Sequence, residues 1–207
     1  TPGYFDVVAY TGTGSAKTVN HNLAAVPEMI WVKSRSNAEN WQVGHKDLTG
    51  GWGSLLYLNY DSFQGSSNPV WWNNTAPTSA VFSVGTQDMN NGNGMTYIAY
   101  LFASVAGISK VGSYTGTGSD LNVDCGFSAG ARFILIKRTD SSGDWYLWDS
   151  VSGIVAGNDP YLLLNSTATQ VTNTDYVDPL ASGFTVTSSA PAALNNSGGT
   201  YIFYAIA

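Results

Sequence analysis

Apolar residues in this chain come in short runs bounded by Gly, Asn, Ser, Thr and Pro, and no stretch holds a helical period with caps. Residues Tyr4 to Tyr10 alternate weakly around Val7-Val8 and predict a strand. Thr11-Gly12-Thr13-Gly14 supplies a turn, because glycine tolerates positive φ. A second strand is predicted over Thr18 to Leu23. Pro27 marks a loop, and Met29-Ile30-Trp31-Val32 predicts a strand buried on both faces. Ser36 to Asn40 is a turn, and Trp41-Gln42-Val43 is the return strand of a hairpin. Further strands are predicted at Leu55 to Tyr60 and at Val81 to Val84. Between them lie the Gly-rich loop Gly50 to Gly53, the polar loop Asp61 to Pro69 and the stretch Val70-Trp71-Trp72-Asn73-Asn74. Asn90 to Gly94 reads as a turn, and the longest apolar run, Tyr97 to Ala103, as a central strand.

The second half repeats this order. Tyr10-Thr11-Gly12-Thr13-Gly14-Ser15 returns unchanged 104 positions later as Tyr114-Thr115-Gly116-Thr117-Gly118-Ser119. At the same spacing Val19 matches Val123, Ile30 matches Ile134, Lys33 matches Lys137, Trp41 matches Trp145 and Tyr100 matches Tyr204. Phe82 and Val84 match Phe184 and Val186 at a spacing of 102, and the connector Ser104 to Lys110 is only seven residues. The pattern predicts an all-β protein of two tandem, pseudo-symmetric, jelly-roll-like β-sandwich repeats, residues 1–104 and 105–207, in a fixed relation. One continuous sandwich is the alternative; two units are too few to close a propeller.

Composition narrows the function. The chain has 207 residues, 43 % hydrophobic and only 11 % charged, with a net charge of −6. Its eight basic residues are scattered, which argues against a nucleic-acid surface or attraction to anionic lipid. No apolar run approaches the roughly 20 residues of a membrane helix. The start, Thr1-Pro2-Gly3-Tyr4, is unlike a signal peptide and reads as a fragment or trimmed chain. The single cysteine, Cys125, excludes an internal disulfide and a Cys-based zinc site.

No catalytic constellation stands out. His21 and His45 are the only histidines, and position 21 becomes Cys125 in the second half, so both read as structural. Cys125 has no nearby basic cluster and reads as a small packed hydrophobe. Most carboxylates sit beside Gly, Asn or Ser, where Asx-turns are commoner than acid/base pairs. Asn158-Asp159 and Asp175 to Asp178 could offer oxygens to calcium, but no calcium-loop spacing supports this over turns. Trp41 and Trp145 share one place in both halves and are predicted to pack in the core of each sandwich. Trp52, Trp71, Trp72 and Trp148 have no such pairing; Trp148 falls opposite Gly44. Exposed indoles among amides suit sugar stacking or a protein interface; equally, they could cap a sheet end or fill a contact between the halves. The candidate ligand-binding residues are Trp52, Trp71, Trp72, Asn73 and Asn74, with no catalytic residue, metal or cofactor expected.

Several stretches resemble a domain of bacteriophage tail-fibre and related virion proteins, many from marine and cyanobacterial phages. They include Phe5 to Ser15, His21-Asn22-Leu23 with Pro27, Ile30 to Arg35, Trp72 to Ser79, Ala103 to Tyr114, Asp124 to Phe133, Gly143 to Tyr146, Gly157 to Asn165 and Gly199 to Phe203. The resemblance covers nearly the whole chain. It implies a non-catalytic virion structural protein on the virion exterior, the distal domain of a tail fibre that binds a host-surface glycan or protein receptor. It also implies a homo-oligomer, a trimer, in contact with other virion proteins and without nucleic acid or membrane insertion. A capsid decoration or head-fibre protein is one alternative, and a polysaccharide-degrading fibre enzyme is another.

Overall fold

The computed structural model describes residues 3–207, so the reading of Thr1 and Pro2 falls outside the described residues. The chain is all-β and divides into two compact units. One takes in the residues up to Asn59 and Gln64–Ser104; the other takes in Tyr60–Phe63 and Val105–Ala207. The four residues Tyr60–Phe63 thus leave the first half of the sequence. Asp61 O accepts from Gly143 N at 2.8 Å and from Lys137 Nζ at 3.3 Å.

The first unit holds strands β1 (Phe5–Thr11), β2 (Lys17–Asn20), β3 (Met29–Ser34), β4 (Gln42–His45), β5 (Leu56–Tyr57), β6 (Val81–Val84) and β7 (Thr96–Phe102). A 3-10 turn (Gly51–Gly53) and a one-turn helix α1 (Asp88–Asn91) complete it. Its main sheet runs β1-β7-β3-β4-β5, with β2-β6 as a second layer. The second unit holds β8 (Ser109–Thr115), β9 (Leu121–Asp124), β10 (Phe133–Arg138), β11 (Trp145–Asp149), β12 (Leu162–Leu163), β13 (Val177–Leu180), β14 (Gly183–Val186), β15 (Thr200–Ile206) and the one-turn helix α2 (Ala192–Asn195). Its main sheet runs β8-β15-β10-β11-β12, opposite β9-β14-β13. Position for position the two five-strand orders agree. Every neighbouring strand pair is antiparallel, and the long run Tyr97 to Ala103 supplies β7, next to both β1 and β3.

Alternation places the cores. In the first unit Ile30, Val32, Ala99 and Leu101 point from the main sheet toward Val19, Phe82 and Val84 of the small one. In the second, Ile134, Ile136, Phe203 and Ala205 face Val123, Phe184, Val186 and Val177. The other face of the first main sheet is apolar too: Met29 and Val43 are buried there, and Trp31 meets Phe102 at 4.7 Å. That two-sided burial agrees with the reading of Met29 to Val32. It also corrects the placement of Trp41 and Trp145. Trp41 lies against Tyr100, and Trp145 pairs in register with Lys137; both neighbours face away from the sandwich cores.

The repeated hexapeptide has a structural explanation in both units. Tyr10 and Tyr114 stack on Tyr97 and Tyr201 and donate their hydroxyls to Asn90 O and Leu194 O, at 2.6 and 2.7 Å. Gly12 and Gly116 have no room for a Cβ, which would fall 2.9 and 3.0 Å from the rings of Tyr97 and Tyr201. Gly14 and Gly118 both adopt φ +72°, a left-handed conformation. A buried asparagine then reads each loop. Asn91 Oδ1 accepts from Thr13 N at 2.9 Å, and its Nδ2 donates to Ser15 O and Gly85 O at 2.7 and 2.6 Å. Asn195 does the same for Thr117 N, Ser119 O and Thr187 O.

Candidate functional site

Five residues were candidates for a ligand contact, and the fold separates them. Trp72 is 0 % exposed and belongs to the first core, so it offers no face to a ligand. The reason lies on β4. A Cβ on Gly44 would fall 2.7 Å from Trp72 and 2.8 Å from Trp52, so the two indoles occupy the space over that glycine. Gly44 pairs with Ile30, whereas the corresponding residue paired with Ile134 is Trp148. Trp148 fills the second core from its own strand. In the first unit the indole arrives from a loop instead. An indole present in one half only is therefore a second route to the same filled volume.

Trp52 and Trp71 are half-buried and pack against the same core, Trp52 edge-on to Trp72 with ring centroids 5.9 Å apart. The Trp71 carbonyl accepts from Gly85 N at 2.8 Å and Asn90 Nδ2 at 2.7 Å, which locks that backbone to the sheet.

Asn73 and Asn74 are exposed, with φ of 53° and 48°. Asparagine is among the few residues that enter this left-handed region readily. Their effect shows against the second unit. There Thr187 N bonds Tyr176 O at 3.0 Å, as Gly85 N bonds Trp71 O, and the chain then continues as β13. In the first unit the two asparagines turn the chain outward, and among the described residues no third strand joins β2-β6. Among the described residues neither side-chain amide has a hydrogen-bond partner. Asn74 lies over the 3-10 turn: a Cβ on Gly53 would fall 2.6 Å from its Oδ1 and would also strike Ser67 Oγ. Asn68 N donates to Gly53 O at 2.8 Å, closing the patch. The structure thus brings Asn74, Ser67 and the 3-10 turn that carries Trp52 together, and takes Trp72 away. Free amides on a rigid turn can donate to and accept from hydroxyls.

Most of the remaining polar candidates are hydrogen-bonded; the exception is Asp178, whose Oδ1 is buried without a hydrogen-bond partner among the described residues. His21 Nδ1 accepts from Leu23 N at 3.2 Å, which leaves Nε2 as the donor to Thr78 O at 3.1 Å. His45 Nδ1 accepts from the Asp47 backbone at 3.1 Å. Asp159 is buried, with Oδ2 accepting from Trp148 Nε1 at 2.8 Å and Val177 N at 3.0 Å, and Oδ1 from Tyr176 N at 2.8 Å. Burial pushes its carboxyl up to about 6 against those three bonds, and Asp175 adds to the rise. Asn158 Oδ1 accepts from Asn173 N at 3.2 Å and Asp175 Oδ1 from Gly157 N at 3.3 Å, so these oxygens tie two loop segments together across 15 and 18 positions instead of closing local turns. Among the described residues no three His, Cys, Asp or Glu side chains gather as a metal site would require. Sequence reasoning named Asp159 only as a turn or calcium oxygen, not as the buried acceptor for Trp148, Tyr176 and Val177, and it missed the Asn91/Asn195 pair. The identical spacing of the two asparagines, 104, was a visible signal for the latter.

These features define a two-unit β-sandwich protein that carries an amide-rich turn on its surface. The whole chain, residues 1–207, matches DUF7483, a domain of unknown function, and the protein belongs to that family. No curated protein and no solved structure matches it.

Proposed function

We propose that this chain is a non-catalytic bacteriophage virion structural protein, a distal tail-fibre domain whose surface turns contact a host receptor. The observation that carries the reading is the resemblance of stretches along nearly the full chain to phage fibre domains. The fold is compatible with it: an all-β scaffold presents Asn73 and Asn74 at the surface, their amides without a partner among the described residues. Asp159, whose carboxyl is raised by burial, has both oxygens engaged as acceptors from the backbone of Tyr176 and Val177 and from the Trp148 indole. The ligand is a hydroxyl-rich surface, a glycan, gripped weakly at each copy and more firmly by several copies together.

The test replaces Asn73 and Asn74 together with Gly, which keeps the left-handed turn and removes both amides. With the melting temperature unchanged, adsorption to host cells should fall at least about fivefold, as for loss of a contact worth roughly 1 kcal/mol. Unchanged adsorption removes these residues from the contact. Absence of the chain from purified virions overturns the virion reading itself.

A further inference from the structure

The first unit ends its main sheet on a long open edge. Among the described residues strand β1 pairs only with β7. Tyr4 O accepts from Ala103 N at 3.0 Å and Gly12 N donates to Met95 O at 2.8 Å, so the even-numbered residues turn their backbone groups toward β7. In an antiparallel ladder the odd-numbered ones then turn theirs outward. Val7, Ala9 and Thr11 are exposed, Val7 to 44 %. Two of their outward groups are held by side chains: Val7 N donates to Asp6 Oδ1 at 2.9 Å, and Thr11 O accepts from Lys17 Nζ at 2.8 Å. Among the described residues four remain open: Val7 C=O, Ala9 N–H, Ala9 C=O and Thr11 N–H.

We propose that this edge pairs antiparallel with β1 of a second copy, about a two-fold axis at Ala9. In that register Ala9 of each copy bonds Ala9 of the other through both its groups, and Thr11 N–H meets Val7 C=O. All four open groups are used, on both copies. The two held groups, Val7 N–H and Thr11 C=O, fall opposite each other. Their holders, Asp6 of one copy and Lys17 of the other, are thereby brought together as opposite charges, twice per dimer. Neighbouring registers lack this match. Centring on Val7 sets Asp6 against Asp6, and centring on Thr11 sets Lys17 against Lys17. Centring on Val8 leaves Ala9 C=O facing an N–H already taken. The contact is isologous and closes as a dimer, in place of the trimer that the resemblance implies. An open edge of this length is otherwise a template for uncontrolled pairing.

Cysteine cross-linking of the 207-residue chain tests the register. Residues facing each other in a hydrogen-bonded pair have Cα atoms about 5.5 Å apart, within disulfide reach. Ala9→Cys should form a disulfide dimer rapidly under mild oxidation. Val7→Cys should not, because its own copies lie four residues out of register, roughly 13 Å apart. The native Cys125 gives no background, since burial pushes its thiol up to about 12. Light scattering should show a concentration-dependent dimer. Ala9→Pro should abolish it with unchanged melting, because the lost N–H points away from the fold. Lys17→Glu should weaken it at least several-fold. A monomer at every concentration up to about 1 mM overturns the proposal, as does a trimer, or Ala9→Cys cross-linking no faster than Val7→Cys.

Discussion

Gly44 and Trp72 show how one residue identity depends on another far away in sequence. The glycine is required because two indole rings sit where its side chain would be. Gly44→Ala should destabilise the protein by about 1–3 kcal/mol through overpacking. Trp72→Ala should cost more, about 3–5 kcal/mol, through the cavity it leaves. The pair is coupled, so Gly44→Trp combined with Trp72→Ala should unfold at higher denaturant concentration than Gly44→Trp alone. Equal midpoints would mean that the loop indole does not stand in for Trp148. The Trp71-Trp72-Asn73-Asn74 stretch was legible as unusual because it lacks a counterpart. Which of its members faces solvent was not, since adjacent residues in a turning segment point in different directions with no fixed period.

At the element scale, each Thr-Gly-Thr-Gly loop is held by the last residue of a one-turn helix. Four residues form too short a helix to persist alone. It stands because Asn91 or Asn195 projects from it into the loop. Asn91→Ala would strand Thr13 N–H, Ser15 C=O and Gly85 C=O, and should lower stability by about 2–3 kcal/mol in urea melts. Asn195→Ala should act alike in the second unit. A loss under about 0.5 kcal/mol for either would show that water replaces the amide without penalty. The turn was readable from its glycines, whereas its partner required the fold, because the contact spans 78 positions.

For the molecule as a whole, the pH dependence of stability carries the mark of one buried cation. Lys137 is 0 % exposed and donates to Arg138 O at 2.7 Å and Asp61 O at 3.3 Å. Burial pushes its pKa down to about 8, despite the nearby carboxylates of Asp61 and Asp144. The unfolded chain holds that proton up to about pH 10.4, so between the two values it binds more protons than the native state. Stability therefore rises with pH across this window, by about 3 kcal/mol at most. The neutral amine can still donate to both carbonyls. Lys137→Met should lose the rise, seen as the difference between the two proteins' urea midpoints at pH 7.5 and pH 10. Above that, buried tyrosines act in the opposite direction, since burial raises Tyr10 and Tyr114. A wild-type curve parallel to the variant's would show that Lys137 titrates as in water.

By itself the sequence determined the class and the order of elements. Alternation and turn residues depend on a few neighbours, so they announce strands, and the repeat at 104 announces that the second half is built in the order of the first. It also determined that Met29 to Val32 would be buried on both faces, since a run without polar residues has no wet side. Only the tertiary structure decided which apolar residues share a core. Trp41 and Trp145 lie on the sheet face away from it, Trp72 crosses from a loop to fill it, and Tyr60–Phe63 join the second unit. It alone decided that β1 is an edge, because a strand's neighbours are chosen by chain segments dozens of residues away, through packing and hydrogen bonds that no local pattern encodes.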